Sequence, residues 1–184
     1  MRVPTRQRVP VREEHGIIGF DRHPFARSIH PMTRVQPITD KSQLPMERQA
    51  EWDAVFAGLG RVRGPFGVML TSPGLAPAVL DSVLMAHADG VVADTLHELV
   101  ILAVAYEFNA PYQWSAHIAR AREVGLSDTA IEAARTGTDD PALDADARDV
   151  LELTRQLCRT HQLDQALFDA LVARHGERWV MLVV

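Results

Sequence analysis

Apolar residues return at three- and four-residue steps along most of this chain, and that spacing predicts helices from position 46 nearly to the end. The segment 46–58 carries Trp52, Val55 and Phe56 on one side, with Leu59 just beyond it. Pro45 is suited to the first turn of that helix. The segment 75–87 places Leu75, Val79, Leu80, Val83 and Leu84 at helical intervals. Residues 94–108 are apolar on all sides in their middle, the pattern of a central buried helix. Residues 112–124 end at Gly125, a residue suited to the left-handed position after a helix C-terminus. Ser127 is the expected N-cap of a short helix. Segments 144–160 and 164–174 supply two more, the second stopped before Gly176. No stretch alternates with period two long enough to predict a strand. The expected fold is therefore all-α, a single-domain bundle of about seven helices.

Two segments break the pattern. Residues 1–31 have neither period and hold Pro4, Pro10, Pro24 and Pro31. They suit a loosely held arm, an arm wrapping a partner subunit, or a lead-in that the core does not need. The first is adopted, with a flexible arm over 1–37 and the helical domain over 38–184. The Glu13-Glu14 pair and the lack of an apolar core argue against a targeting peptide. Between the first two helices, Gly60-Arg61-Val62-Arg63-Gly64-Pro65-Phe66-Gly67 reads as a shaped loop. Its arginines either grip a carboxylate by paired hydrogen bonds or lie on the surface.

Composition narrows the function classes. The 184 residues suit one domain with a sizeable core. With 47% apolar and 23% charged residues, the chain is not of a disordered type. The longest apolar run, 99–105, is too short to span a bilayer, so no membrane partner is expected. The net charge is -5. Residues 1–31 contribute +3, from six Arg against Glu13, Glu14 and Asp21, which leaves -8 for the remainder. An acidic body argues against a nucleic-acid partner, whose affinity needs clustered Lys and Arg. The expected partner is a small-molecule substrate.

Cys158 is the single cysteine, which rules out an intramolecular disulfide and any Cys-x-x-Cys chemistry. Beside Leu157 on an amphipathic helix, it reads as an inert buried thiol. One thiol and no recognisable signal peptide suit the cytoplasm. His87, His97 and His117 lack His-x-x-x-His spacing, so neither a metal nor a cofactor is expected.

The candidate chemistry lies between Glu98 and His117. An acid opens the apolar helix, Asn109-Ala110-Pro111 breaks it, and an imidazole sits on the next helix. The two groups meet only if those helices pack together. An imidazole such as that of His117 is suited to giving or taking a proton near neutrality. It reads equally as a core histidine satisfied by backbone groups. Thr95-x-x-Glu98 reads as a capping box, in which Glu98 reaches back to the first amides of its helix. A capping carboxylate can also orient an imidazole. Tyr112 and Trp114, on opposite faces of a helix start, send one ring inward and the other toward a pocket or a subunit contact.

This stretch resembles the core signature of the carboxymuconolactone decarboxylase superfamily, which includes the alkylhydroperoxidase D-type proteins. Further parts of the chain carry the likeness: Arg63-Gly64-Pro65-Phe66, Ser72-Pro73, and Tyr112-Gln113-Trp114-x-x-His117 followed by Ala119 and Gly125-Leu126-Ser127. The resemblance runs from roughly residue 38 to the C-terminus. In the peroxidase branch a Cys-x-x-Cys pair lies between the Glu and the His; here those places hold Ala110 and Gln113. Cysteine-free members carry Tyr-Glu-Trp-x-x-His, and Gln113 replaces that Glu. The resemblance implies an all-helical fold, homo-trimers or hexamers, and a site at the Glu98–His117 helix pair. The apolar end, Trp179-Val180-Met181-Leu182-Val183-Val184, is a further reason to expect an interface.

Under the resemblance, the expected activity is decarboxylase-like acid–base chemistry on a small carboxylated lactone or ring compound, of the kind met in aromatic catabolism. His117 is the expected acid and Glu98 its orienter. Gln113, Tyr112 and Trp114 are expected around the substrate, with Arg63 as carboxylate anchor. A non-catalytic ligand-binding oligomer is the alternative. Thiol peroxidase or disulfide reductase chemistry needs a nucleophilic and a resolving thiol, and Ala110 and Gln113 supply neither.

Overall fold

The helical signals become nine α-helices, with no strand, among the described residues of the computed structural model, which are 34–137 and 143–184. In chain order they are α1 (Gln49–Leu59), α2 (Pro65–Met69), α3 (Leu75–Ala86), α4 (Asp94–Glu107), α5 (Pro111–Glu123), α6 (Asp128–Thr136), α7 (Ala145–Thr160), α8 (Gln165–His175) and α9 (Glu177–Val183). The N-terminal arm expected at 1–37 lies, up to residue 33, outside the described residues.

The first three helices close a small core of Leu44, Val55, Leu70 and Ala76. Two sequence expectations change here. Pro45 caps a short 3-10 turn, Met46–Arg48, that precedes α1, so it is not inside the helix's first turn. The expected loop at 60–67 ends early, because Pro65 opens α2 at its first position. Gly67 is buried within that helix, and a Cβ there would come 2.8 Å from the Ile38 carbonyl oxygen. Only glycine lets the backbone at Ile38 lie so close to α2, where Ile38 N–H donates to Gly67 O at 2.8 Å. On α3 the buried face is Ala76 and Leu80, whereas Leu75 and Leu84 are exposed. The stripe read from sequence was too wide, since α1 and α2 cover only part of the apolar surface of α3.

The larger core gathers around α4, which packs on α5, α6 and α7. Leu99 and Leu102 are fully buried there. Each such leucine stabilises by roughly 1.5–3 kcal/mol relative to exposure, enough for a few of them to hold α4 in place. The surrounding helices begin at side-chain caps. Ser127, Asp144 and Asp164 accept from the backbone amides of Ala130, Ala147 and Leu167. At the C-terminal end, Asp146 of α7 accepts from Arg174 at 2.6 Å and from His175 at 2.9 Å. His175 in turn stacks on Trp179 with ring centroids 4.2 Å apart. The terminal stripe is therefore mostly internal: Trp179, Val180 and Val183 are buried, leaving Met181 and Val184 exposed. It gives less apolar surface to an interface than its sequence suggests.

Candidate active site

The turn between α4 and α5 sets the site. Asn109 takes a left-handed conformation (φ 49°), and the amides of Asn109 and Ala110 bond the carbonyls of Tyr106 and Ala105. This is the double bond of a Schellman ending, with asparagine in the place usually given to glycine. Pro111 then opens α5 at once, its fixed φ suited to a first helical position. The chain reverses so tightly that α5 packs back along α4.

That packing brings His117 Nδ1 to 2.9 Å from Glu98 Oε2. The Glu98 side chain is 7% exposed and the His117 side chain 28%. Solvent or a ligand thus meets the imidazole, and the carboxylate acts from behind it. An ionised carboxylate is an acceptor only, so Nδ1 carries a proton and donates it to Oε2. This leaves Nε2 as the nitrogen available for exchange.

The capping box does not form. The N-cap of α4 is Ala93, without a side-chain cap bond, so Thr95 lies inside the first turn and Glu98 lies deeper still. Glu98 spends its carboxylate on another helix, because the inward face of α4 points it at α5 rather than back along its own axis.

Along the same two helices, Val100, Ile101 and Val104 of α4, with Phe108 just after it, face Ala110 and Gln113 across a cavity of about 330 Å³. Ala110 and Gln113 stand where the resemblance puts redox cysteines elsewhere. Gln113 and His117 are one helical turn apart on α5, and Ile101 is one turn from Glu98, so cavity and pair share a helix–helix seam. The other expected residues separate. Trp114 is buried in the main core near Tyr106, with ring centroids 6.2 Å apart. Tyr112 is 54% exposed. Its hydroxyl lies over Gly64, where any side chain would collide with it. Arg63, next to Gly64, is exposed.

Sequence reading did not single out His97 for its burial. It is 8% exposed, and its Nε2 has no partner, while the ring bonds the backbone of Ala86. Its ring lies 4.3 Å from that of His87, whose Nδ1 is 3.9 Å from Asp94. No group of three His, Cys, Asp or Glu that could hold a metal occurs among the described residues. Burial, reinforced by His87, pushes His97 below its ordinary value. The folded state therefore prefers it neutral, and the stability this preserves is fully present above about pH 6.5 and is lost as pH falls below that. The melting temperature should drop on acidification from pH 7.5 to 5, and His97→Phe should flatten that drop. Parallel melts at several pH values measure it; identical slopes would refute this role for His97.

The described residues thus form an all-α bundle in which a buried acid holds a half-buried imidazole on the next helix. Residues 75–156 match the model of the carboxymuconolactone decarboxylase family. The matched span holds α3 to α6 and most of α7, and so includes the pair and the cavity. It leaves out Arg63 and the segment before Leu75 on which part of the resemblance was read. No curated protein and no solved structure matches the chain. No described helix is long and apolar enough to cross a membrane.

Proposed function

We propose that this protein is an acid–base enzyme of carboxy-lyase type acting on a small carboxylated lactone or similar ring compound. The observation that carries this reading is the 2.9 Å contact between Glu98 and His117, with the carboxylate buried and the imidazole reachable. Breaking the bond to the carboxylate carbon releases carbon dioxide and leaves its electron pair on the ring, delocalised as an enolate. Protonated His117 then returns a proton from Nε2 to carbon, and Glu98 orients the ring and favours the imidazolium before transfer. Glu98 acts through His117 and is a positioning residue.

Arg63 suits the role of carboxylate anchor. The close approach of Gly64 to Tyr112 supports this, since it holds the Arg63 loop against the first turn of α5. A guanidinium there can take a carboxylate by two parallel hydrogen bonds. Thiol chemistry has little to work with: Cys158 is the only thiol, and burial pushes it up, away from thiolate.

The test is carbon dioxide release from a panel of carboxylated five- and six-membered lactones. Release that depends on His117 is the expected result; no release from any member by folded protein would overturn the reading. We also propose a homo-oligomer, a trimer or hexamer, supported by exposed Phe56, Leu84, Met85 and Phe108. Light scattering should give a multiple of 20.4 kDa; a monomer at micromolar concentration would exclude it.

A further inference from the structure

We infer that the cavity on the α4–α5 seam selects substrates with an uncharged apolar side group and that Gln113 orients their ring oxygen toward His117. This deepens the reading above and rests on it for the chemistry, though not for binding. The cavity, about 330 Å³, lies at the small end of the range typical of small-molecule sites. Its walls are Val100, Ile101, Val104, Ala105, Phe108 and Ala110, and among the described residues Gln113 is the one polar residue lining it. No charged side chain among the described residues lines it. A carboxylate placed inside would lose its hydration and find no counter-charge, which is costly. An alkyl or aryl group would lose nothing and cover apolar wall. The substrate's carboxylate therefore belongs outside the cavity and its apolar group inside.

Gln113 supplies what the apolar walls cannot. Its amide both donates and accepts, and it carries no charge at any working pH. It stands one turn, about 6 Å along the axis, from His117 on the same face of α5. A lactone carbonyl or ring oxygen bonded to Gln113 would thus hold an adjacent ring carbon near Nε2. A hydrogen-bonding side chain in an apolar wall selects strongly, because a ligand without a matching group leaves it unpaired. A wall crowded by Val104 and Phe108 would in turn set the length of side group accepted.

The experiment measures binding, not turnover, on the full chain. The probes are γ-butyrolactones with unbranched alkyl side chains of one to five carbons, and the same series ending in a carboxylate. Affinity should rise about fourfold per added methylene until the cavity is filled, as expected for burying CH₂ groups. The carboxylate-ended series should bind at least tenfold more weakly than its neutral partner. His117→Ala should keep the chain-length trend, which separates failure of this proposal from failure of the proton-transfer reading. Gln113→Leu should weaken every lactone while keeping the trend. Val104→Asp should abolish the trend; if that variant does not fold, the wild-type and Gln113→Leu series decide the matter. Affinity independent of chain length, or equal for neutral and carboxylate-ended probes, would overturn the proposal. So would affinity that falls as protein concentration raises the molar mass, since a second copy would then occupy the cavity.

Discussion

His117→Ala should reduce turnover on the order of a hundredfold or more, the usual contribution of a positioned general acid. The corresponding loss of transition-state stabilisation is about 2.7 kcal/mol. Little of it should appear as lost stability. The imidazole is 28% exposed, so its removal opens a space that water can enter beside Glu98. A buried carboxylate left without any partner would cost more than the roughly 1–3 kcal/mol of a neutral group, and water in the opened space offsets much of that. Melting curves and turnover measured on the same preparations check both halves. An active His117→Ala enzyme would end the proton-transfer reading. An inactive one that melts far below the wild type would make His117 structural.

Glu98→Gln should behave differently in kind. The amide has nearly the same shape, and its oxygen can still accept from His117 Nδ1, now 2.9 Å from Oε2. What disappears is the negative charge that favours the imidazolium. Turnover should fall by about tenfold, less than for His117→Ala. The alkaline limb of the pH–rate profile, where a general acid loses its proton, should move to lower pH, because a neutral amide no longer favours the charged ring. Stability should stay within about 1 kcal/mol of the wild type, since Glu98 caps no amide of its own helix. A pH profile that stays put while activity and melting temperature fall together would show a purely structural Glu98.

The same residue shows how far a sequence can be read. Glu98 three places after Thr95 satisfies the spacing of a capping box, and the spacing alone does not say where the helix begins. In the structure α4 starts at Asp94, with Ala93 as an uncapped N-cap, and the carboxylate is turned to α5. The all-apolar middle of α4 was ambiguous in a similar way. Such a helix is covered on every side by protein, or it leaves one side for a ligand or another subunit. Leu99, Leu102 and Ala103 are fully buried, whereas Val100, Ile101 and Val104 line an open cavity. No polar stripe marks that division, because an apolar cavity wall and a core need the same residue types. His97 is a third instance: a histidine looks the same in sequence whether it is exposed or held neutral in the interior.

Helix existence was legible because it depends on local order. Three- and four-residue periodicity, Ser127 ahead of α6, Gly125 after α5 and the break before α5 act within a few residues of themselves. The candidacy of Glu98 and His117 was legible too, through the resemblance carried by the residues around them. Contact between them was not, since it depends on the angle at which the Asn109 reversal sends α5 back along α4. Whether Trp114 met the cavity or the core was decided by the same packing, as was the inward turn of Trp179, Val180 and Val183. Backbone propensity and capping act over one or two turns of chain. Burial depends on which faces meet across tens of residues, and only the folded packing settles that.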